Sequence, residues 1–69
     1  MNYRKLALHR TVLVNVDTGR AFRGALLQVT RDVLVLGNAE VIEAGQGPIP
    51  VPGSVLIERA RIEWVQVVN

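Results

Sequence analysis

The sequence contains no cysteine and only one histidine, His9. Without cysteine the chain cannot form disulfide bonds or thiolate metal sites, and one histidine is too few for a zinc centre built from this chain alone. The segment at residues 45–47 has two glycines but lacks the lysine and the following helix of a phosphate-binding loop. We therefore expect no metal site and no cofactor.

Long hydrophobic runs and aromatic residues are also scarce. Residues 33–36 form one of the longest apolar runs, far short of the roughly 20 residues that a membrane span needs, and the N-terminus lacks the apolar core of a signal peptide. We expect a cytoplasmic protein. Nearly half of the residues are hydrophobic (49%), yet the aromatic residues are only Tyr3, Phe22 and Trp64. A valine-rich composition of this kind favours a small all-β domain.

Catalytic residues are equally hard to find. Ser54 is the one serine, and His9 has no sequence neighbour that would complete a nucleophilic triad. The pairs Glu40 with Glu43 and Glu58 with Glu63 could act as paired carboxylates, but acids on strand faces are usually solvated. We expect a protein that is not an enzyme.

The clearest pattern begins at residue 11. Val12, Val14 and Val16 alternate with other residues up to a turn at residues 17–19, where Gly19 can adopt a positive φ. The return strand starts at Arg20 and contains Gly24, whose expected use is a sharp bend or a close backbone approach. Residues 28–32 are predicted to form a second turn.

Three further segments complete the predicted fold. A third strand starts at residues 33–36 and continues to residue 43, residues 44–53 form a loop with an extended end, and residues 54–59 and 62–68 form a fourth and a fifth strand. A short helix over residues 2–9 precedes them, with Asn2 as its cap, Tyr3, Leu6 and Arg10 on its docked side and Arg4 and Lys5 turned to water. The alternative is a frayed basic tail. Five short strands in one domain over residues 1–69 predict a small, partly open barrel. Since this barrel leaves strand edges unpaired, we expect copies to join through the fourth and fifth strands, closing into a ring.

With this order of residues, the chain resembles the Sm-like family, which includes the Sm proteins and the bacterial RNA chaperone Hfq. The first Sm motif is matched by the run Val14, Val16, Asp17, Gly19, Phe22, Gly24 and Leu26, followed by Leu34, Leu36, Asn38, Ala39 and Glu40; the second is matched within residues 55–65 by Ile57, Ile62 and Val65. The resemblance implies a bent five-stranded SH3-like barrel, a homo-oligomeric ring, and binding of single-stranded RNA around a central pore.

The pore-facing loops supply the candidate RNA-binding residues, which are Thr30, Arg31, Asp32, Arg59 and Arg61. Under Sm-like geometry the three arginines are expected to lie near one another, although Asp32 and Glu58 would offset part of their charge. Two features of the family are replaced here. The segment that carries an Asp and a Met-Asn pair in uridine-binding members is residues 28–33 in this sequence, and Glu58 and Arg59 stand where the family usually has Arg-Gly. Arg4, Lys5 and Arg10 form one further basic cluster, which either contacts RNA or is a solvated face.

Two functions therefore stay open. The first is an RNA-binding ring, for which the net charge of +2 and the pI near 9.9 are permissive. The second is a structural or assembly module that forms the same ring and binds protein, for instance a divergent member carried by a phage or another mobile element. Tyr3 is the aromatic residue expected to be exposed for base stacking, whereas Phe22 and Trp64 are expected in the core or in an interface.

Overall fold

The protein is described by a computed structural model of residues 2–69. Its elements are a helix α1 (Tyr3–Ala7), strands β1 (Thr11–Val16), β2 (Ala21–Val29), β3 (Val33–Ile42), β4 (Ile49–Val51) and β5 (Val55–Glu58), a 3-10 helix (Arg59–Arg61) and strand β6 (Ile62–Val67). The strands form one antiparallel sheet in the order β4-β3-β2-β1-β6, and β5 also pairs with β3. The predicted all-β fold with a short N-terminal helix is confirmed.

Helix α1 begins where the sequence predicts. The Asn2 side chain accepts a hydrogen bond from the Lys5 amide at 3.0 Å and so caps the helix. Five residues cannot form a stable isolated helix, and α1 persists because Ala7 is buried against the sheet. The prediction that Leu6 lies on the docked side is wrong, because the buried face carries Tyr3 and Ala7, four residues apart, and leaves Leu6 58% exposed. In the described chain no helix is long and apolar enough to cross a membrane.

The core is small and aliphatic. In β1 the alternation predicted from the sequence is observed, since Val12, Val14 and Val16 are buried while the residues between them are half-buried. They pack against buried residues from the helix and from β2, β3 and β5, namely Ala7, Leu26, Leu34, Leu36, Ala39 and Ile57. Tyr3 and Phe22 pack only at the margin of this cluster. No aromatic ring of the described residues lies fully inside the core.

Gly24 is where the sheet bends. The pairing of β2 with β3 shifts register between Arg23 and Ala25, and a Cβ atom on Gly24 would lie 2.8 Å from the Gly37 carbonyl oxygen and 3.1 Å from the Ala39 Cα. Only glycine allows the two strands to approach this closely. The predicted close approach at Gly24 is confirmed, and it curls the β2–β3 hairpin over the core.

Strands β4 and β5 act together as one interrupted strand. Both pair with β3, β4 with its second half and β5 with its first half, and the break at residues 52–54 shifts the register by one residue. The loop predicted for residues 44–53 therefore contains a short strand at its extended end, Ile49–Val51. Counted this way, the six strands correspond to the five strands of the predicted barrel.

The barrel is not closed within one chain. β6 pairs with β1 at one border of the sheet, while β4 and β5 pair with β3 at the other. In residues 2–69 neither β5 nor β6 has a second strand partner. Each therefore presents an open edge with unpaired backbone groups.

Replacing Gly24 with alanine should destabilise the fold. The new methyl group would meet backbone atoms that cannot move aside, so we expect the free energy of unfolding to fall by about 1–3 kcal/mol. Gly37→Ala should cost less, because its Cβ would meet the end of the exposed Leu27 side chain, which can rotate. Urea denaturation followed by circular dichroism measures both changes.

Gly47→Ala is the matched control. A Cβ atom there meets nothing within 4 Å, so the stability should stay constant or rise by up to about 1 kcal/mol. Equal stability of Gly24→Ala and Gly47→Ala would contradict the assigned role of Gly24.

Candidate nucleic-acid interface

The turn between β2 and β3 is organised by the hydroxyl group of Thr30. Its Oγ1 accepts hydrogen bonds from the amides of Asp32 (3.3 Å) and Val33 (3.0 Å), and it lies 3.2 Å from the Val33 carbonyl oxygen, to which it donates. The Thr30 amide also donates to the Val33 carbonyl at 2.9 Å. A threonine side chain that bonds to the backbone two and three residues later favours a tight turn. Arg31 is thereby held at the tip of the turn.

Arg59 connects three parts of the chain. Its backbone amide donates to the Asp32 carbonyl at 2.8 Å, and its guanidinium donates to the Thr30 carbonyl at 3.0 Å. The same guanidinium lies 5.1 Å from the centre of the Tyr3 ring, within the range of a cation–π contact. Arg59 therefore fixes the β2–β3 turn and helix α1 against the end of β5. Its first role is structural.

Arg31 is the most available cation of the turn. Its side chain is 92% exposed, and its ion pair is with the adjacent Asp32, at 3.3 Å, whose side chain is also exposed. An ion pair between neighbouring exposed residues contributes little free energy and is easily exchanged. A phosphate group could therefore replace Asp32 as the partner of Arg31 at small cost.

Arg31 and Arg59 line a shallow pocket of about 550 Å³ between the helix and the turn. We call it the arginine pocket. The pocket is formed by Asn2, Tyr3, Arg4, Val29, Thr30, Arg31 and Arg59. It contains three arginines and no acidic residue, which suits an anionic ligand. The sequence predicted Thr30, Arg31 and Arg59 for this site but did not place Asn2, Tyr3 and Arg4 there. The sequence feature that could have indicated their role is the basic Arg4-Lys5 pair next to the aromatic Tyr3.

Arg61, the fifth predicted residue, lies outside the arginine pocket. Its guanidinium is 3.3 Å from an Asp17 carboxylate oxygen, and its carbonyl accepts a hydrogen bond from the Asp17 amide at 2.9 Å. These contacts attach Arg61 to the β1–β2 turn, and it does not line the arginine pocket. Asp32 lines a neighbouring surface depression, which shares Arg31 and Arg59 with the arginine pocket. Four of the five predicted residues are thus together, and Arg61 is oriented by a different turn.

The aromatic residues are arranged differently from the prediction. Tyr3 is half-buried under Arg59 and packs on the core cluster, so the expectation that it is exposed is wrong. Trp64 was expected in the core or in an interface, and the structure excludes the core, since its side chain is 52% exposed on β6. The reason is its register: Trp64 lies opposite Asn15, on the outward face of β1.

Comparisons with known proteins bear on the fold. No protein-family model and no curated protein matches the sequence. Among solved structures, a chain in the crystal structure of the NatC complex bound to CoA superposes with a TM-score of 0.75 and 21% sequence identity, covering 87% of this chain and 77% of that chain. At this identity the similarity shows the fold alone. It supports the small SH3-like barrel that the strand order describes.

Thr30→Val should loosen the β2–β3 turn. Valine keeps the shape of threonine but removes the oxygen that receives two backbone amides. We expect the free energy of unfolding to fall by about 1–2 kcal/mol, measured by chemical denaturation. Thr11→Val in β1 is the control, because the Thr11 hydroxyl makes no hydrogen bond within residues 2–69 and valine suits a strand. An equal effect of both substitutions would argue against the role of the Thr30 hydroxyl.

Proposed function

We propose that this protein is a non-catalytic, Sm-like scaffold whose copies assemble through β5 and β6 into a ring and bind single-stranded RNA at the arginine pocket. One juxtaposition supports the proposal most directly. Arg59, which forms one wall of the pocket, follows the last residue of β5, and β5 is one of the two open edges. Assembly along that edge therefore repeats the pocket at regular intervals.

The open edges support self-association. Leu56 on β5 is 64% exposed, and on β6 Trp64 and Val67 are 52% and 40% exposed. Large apolar side chains on unpaired strand edges favour pairing with another chain. Because the two edges differ in sequence, a contact between them is heterologous and can close into a ring. A domain of this size also gains stability from assembly that its own small core cannot supply.

The arginine pocket supports RNA as the ligand. The Thr30 carbonyl holds the Arg59 guanidinium in place, and Arg4 and Arg31 line the same pocket. Arg4 and Arg31 can therefore contact a phosphodiester without a rearrangement of the fold. A single pocket with so few cations binds weakly, but copies arranged around a ring bind one strand at several points. Since Tyr3 is partly covered, phosphate contacts rather than base stacking should dominate the affinity. Sequence preference should accordingly be low.

A second candidate is a module that binds protein and not RNA. One solved structure that superposes on this chain is a complex, so this fold also occurs inside protein assemblies. An unpaired β5 or β6 edge could accept a strand of a different protein as readily as a second copy. Because this module can form the same ring, titration with oligonucleotides separates it from the first candidate, and a monomer mass would favour a different protein as the partner of the open edges.

The assembly prediction concerns Val67. We expect native mass spectrometry of the unmodified protein at micromolar concentration to give a closed oligomer, and Val67→Lys to shift it to the monomer mass, because a charge at the β6 edge opposes apolar contact. Leu6→Lys is the control, since Leu6 is also exposed but lies on α1. A monomeric unmodified protein would refute the ring.

The RNA prediction concerns Arg4 and Arg31. We expect fluorescence anisotropy with labelled uridine-rich and adenine-rich oligonucleotides to show saturable binding that weakens with salt. The double substitution Arg4→Ala and Arg31→Ala should lower the affinity by about tenfold or more, and the slope of log K against log salt by about 0.7 for each lost phosphate contact.

Arg23→Ala is the control for this titration. It removes the same charge per residue, but Arg23 pairs with Glu40 on the sheet, outside the pocket. No saturable binding at low salt would exclude the RNA function. An equal loss of binding free energy for each arginine replaced, in Arg23→Ala and in the double variant, would mean that overall charge, and not the pocket, determines the affinity.

A further inference from the structure

The border of the sheet that β4 and β5 form has no charged side chain along most of its length. Residues 44–57 contain no Asp, Glu, Lys, Arg or His, and no other stretch of the sequence without these residues is as long. Large apolar side chains are exposed there, since Ile49 is 42% and Leu56 is 64% exposed. Charged residues, above all lysine, are the usual protection of an edge strand against pairing with other chains. From residue 49 to residue 57 this border lacks that protection.

Three prolines stand along the first half of the border. Pro48, Pro50 and Pro52 occupy alternate positions in β4 and its flanks. In the antiparallel pairing with β3, Pro50 lies opposite Glu40, and both neighbours of Pro50 in the strand are paired as well. Because proline has no amide hydrogen, Pro50 cannot be a residue that exchanges hydrogen bonds with β3. The position of its missing donor therefore faces away from β3.

The amides that can hold β4 to the sheet are those of Ile49 and Val51. Residues of an antiparallel strand direct their backbone groups alternately to one side and the other, so these two face β3 and the proline positions face the open side. A strand added there would meet proline ring carbons at the places where it needs donors. The prolines thus cost β4 no hydrogen bond to its own sheet, and they leave no donor on the open side of residues 48–52.

The second half of the border is arranged differently. β5 contains no proline. The Arg59 amide donates to the Asp32 carbonyl across the β5–β3 pair, so by alternation the amides of Leu56 and Glu58 point to the open side. β4 and β5 pair with the same strand, β3, and yet only β5 keeps donors for another chain.

We infer that the row of Pro48, Pro50 and Pro52 closes the β4 half of this border to strands of any other chain, and that it takes the place of the missing charge as the barrier to open-ended sheet growth. Without the prolines, residues 48–57 would be an uncharged border rich in β-branched residues, and segments of this type are those that form amyloid-like sheets. The block acts on β4 alone, whether the protein is a monomer or a ring. A strand of any partner protein is accordingly restricted to β5 on this border.

The double substitution Pro50→Thr with Pro52→Thr tests the block. Both positions are exposed, and threonine suits a strand and returns an amide at each position without adding charge. We expect this variant to form fibrillar aggregates under conditions in which the unmodified protein stays clear, with thioflavin T fluorescence and a reflection at about 4.7 Å in fibre diffraction. The rate of aggregation should rise on the order of tenfold or more. A threonine variant that stays as soluble as the unmodified protein would overturn the block.

Pro50→Lys with Pro52→Lys is the matched control. It removes the same two rings, returns the same two amides and loses the same restriction of the unfolded chain, but it places charge on the edge, which opposes pairing with another chain. We expect the lysine variant to stay soluble. Equal aggregation of the lysine and threonine variants would show that the lost rigidity of proline causes it, and would also overturn the block.

The position of the added charge is tested in the threonine variant itself. Leu6→Lys adds a charge on helix α1, away from β4, so it should leave the aggregation of the threonine variant unchanged. Suppression of the aggregates by Leu6→Lys would mean that net charge, and not the edge of β4, controls solubility, and would count against the block. Native mass spectrometry of the unmodified protein reports on the ring separately, so neither result decides the other.

Discussion

The close approach of β2 and β3 at Gly24 is the constraint on which the rest of this structure depends. It brings the Gly37 carbonyl oxygen to within 2.8 Å of where a Cβ would lie, and so bends one long hairpin over a small aliphatic core. The bend carries β5 and β6 to opposite borders of a single sheet. Since neither border finds a partner among residues 2–69, the curvature that creates the core also leaves the barrel open.

The distribution of large side chains follows from that opening. A core built from valine, leucine, isoleucine and alanine is filled without a buried aromatic ring, and Trp64 lies on the surface of β6 and Leu56 on that of β5. Burying such side chains contributes roughly 25 cal/mol for each Å² of apolar area removed from water. In a domain too small to bury much surface on its own, an interface between copies is a natural source of this energy.

The arginine pocket shows how structural and binding roles are divided among similar residues. Arg59 is engaged by the Thr30 carbonyl and the Tyr3 ring, so it holds the pocket together. Arg31 at the tip of the turn is exposed and pairs with its exposed neighbour Asp32, an ion pair that is easily exchanged. The helix contributes Arg4 to the same wall. A pocket that one fixed arginine holds together, and whose other arginines can exchange their partners, suits the binding of a polyanion.

The sequence by itself determined the strand pattern, the turn at Gly19, the bend at Gly24 and the grouping of Thr30 with Arg31, because these depend on local alternation and on backbone freedom that only glycine has. The tertiary structure decided what local pattern cannot contain: that Leu6 faces water while Ala7 is buried, that Tyr3 lies under Arg59, that Arg61 turns toward Asp17, and that Trp64 is exposed. Each of these depends on which distant segment packs against a residue. That choice is fixed by the register of the strands and by the bend, which no single stretch of the chain encodes.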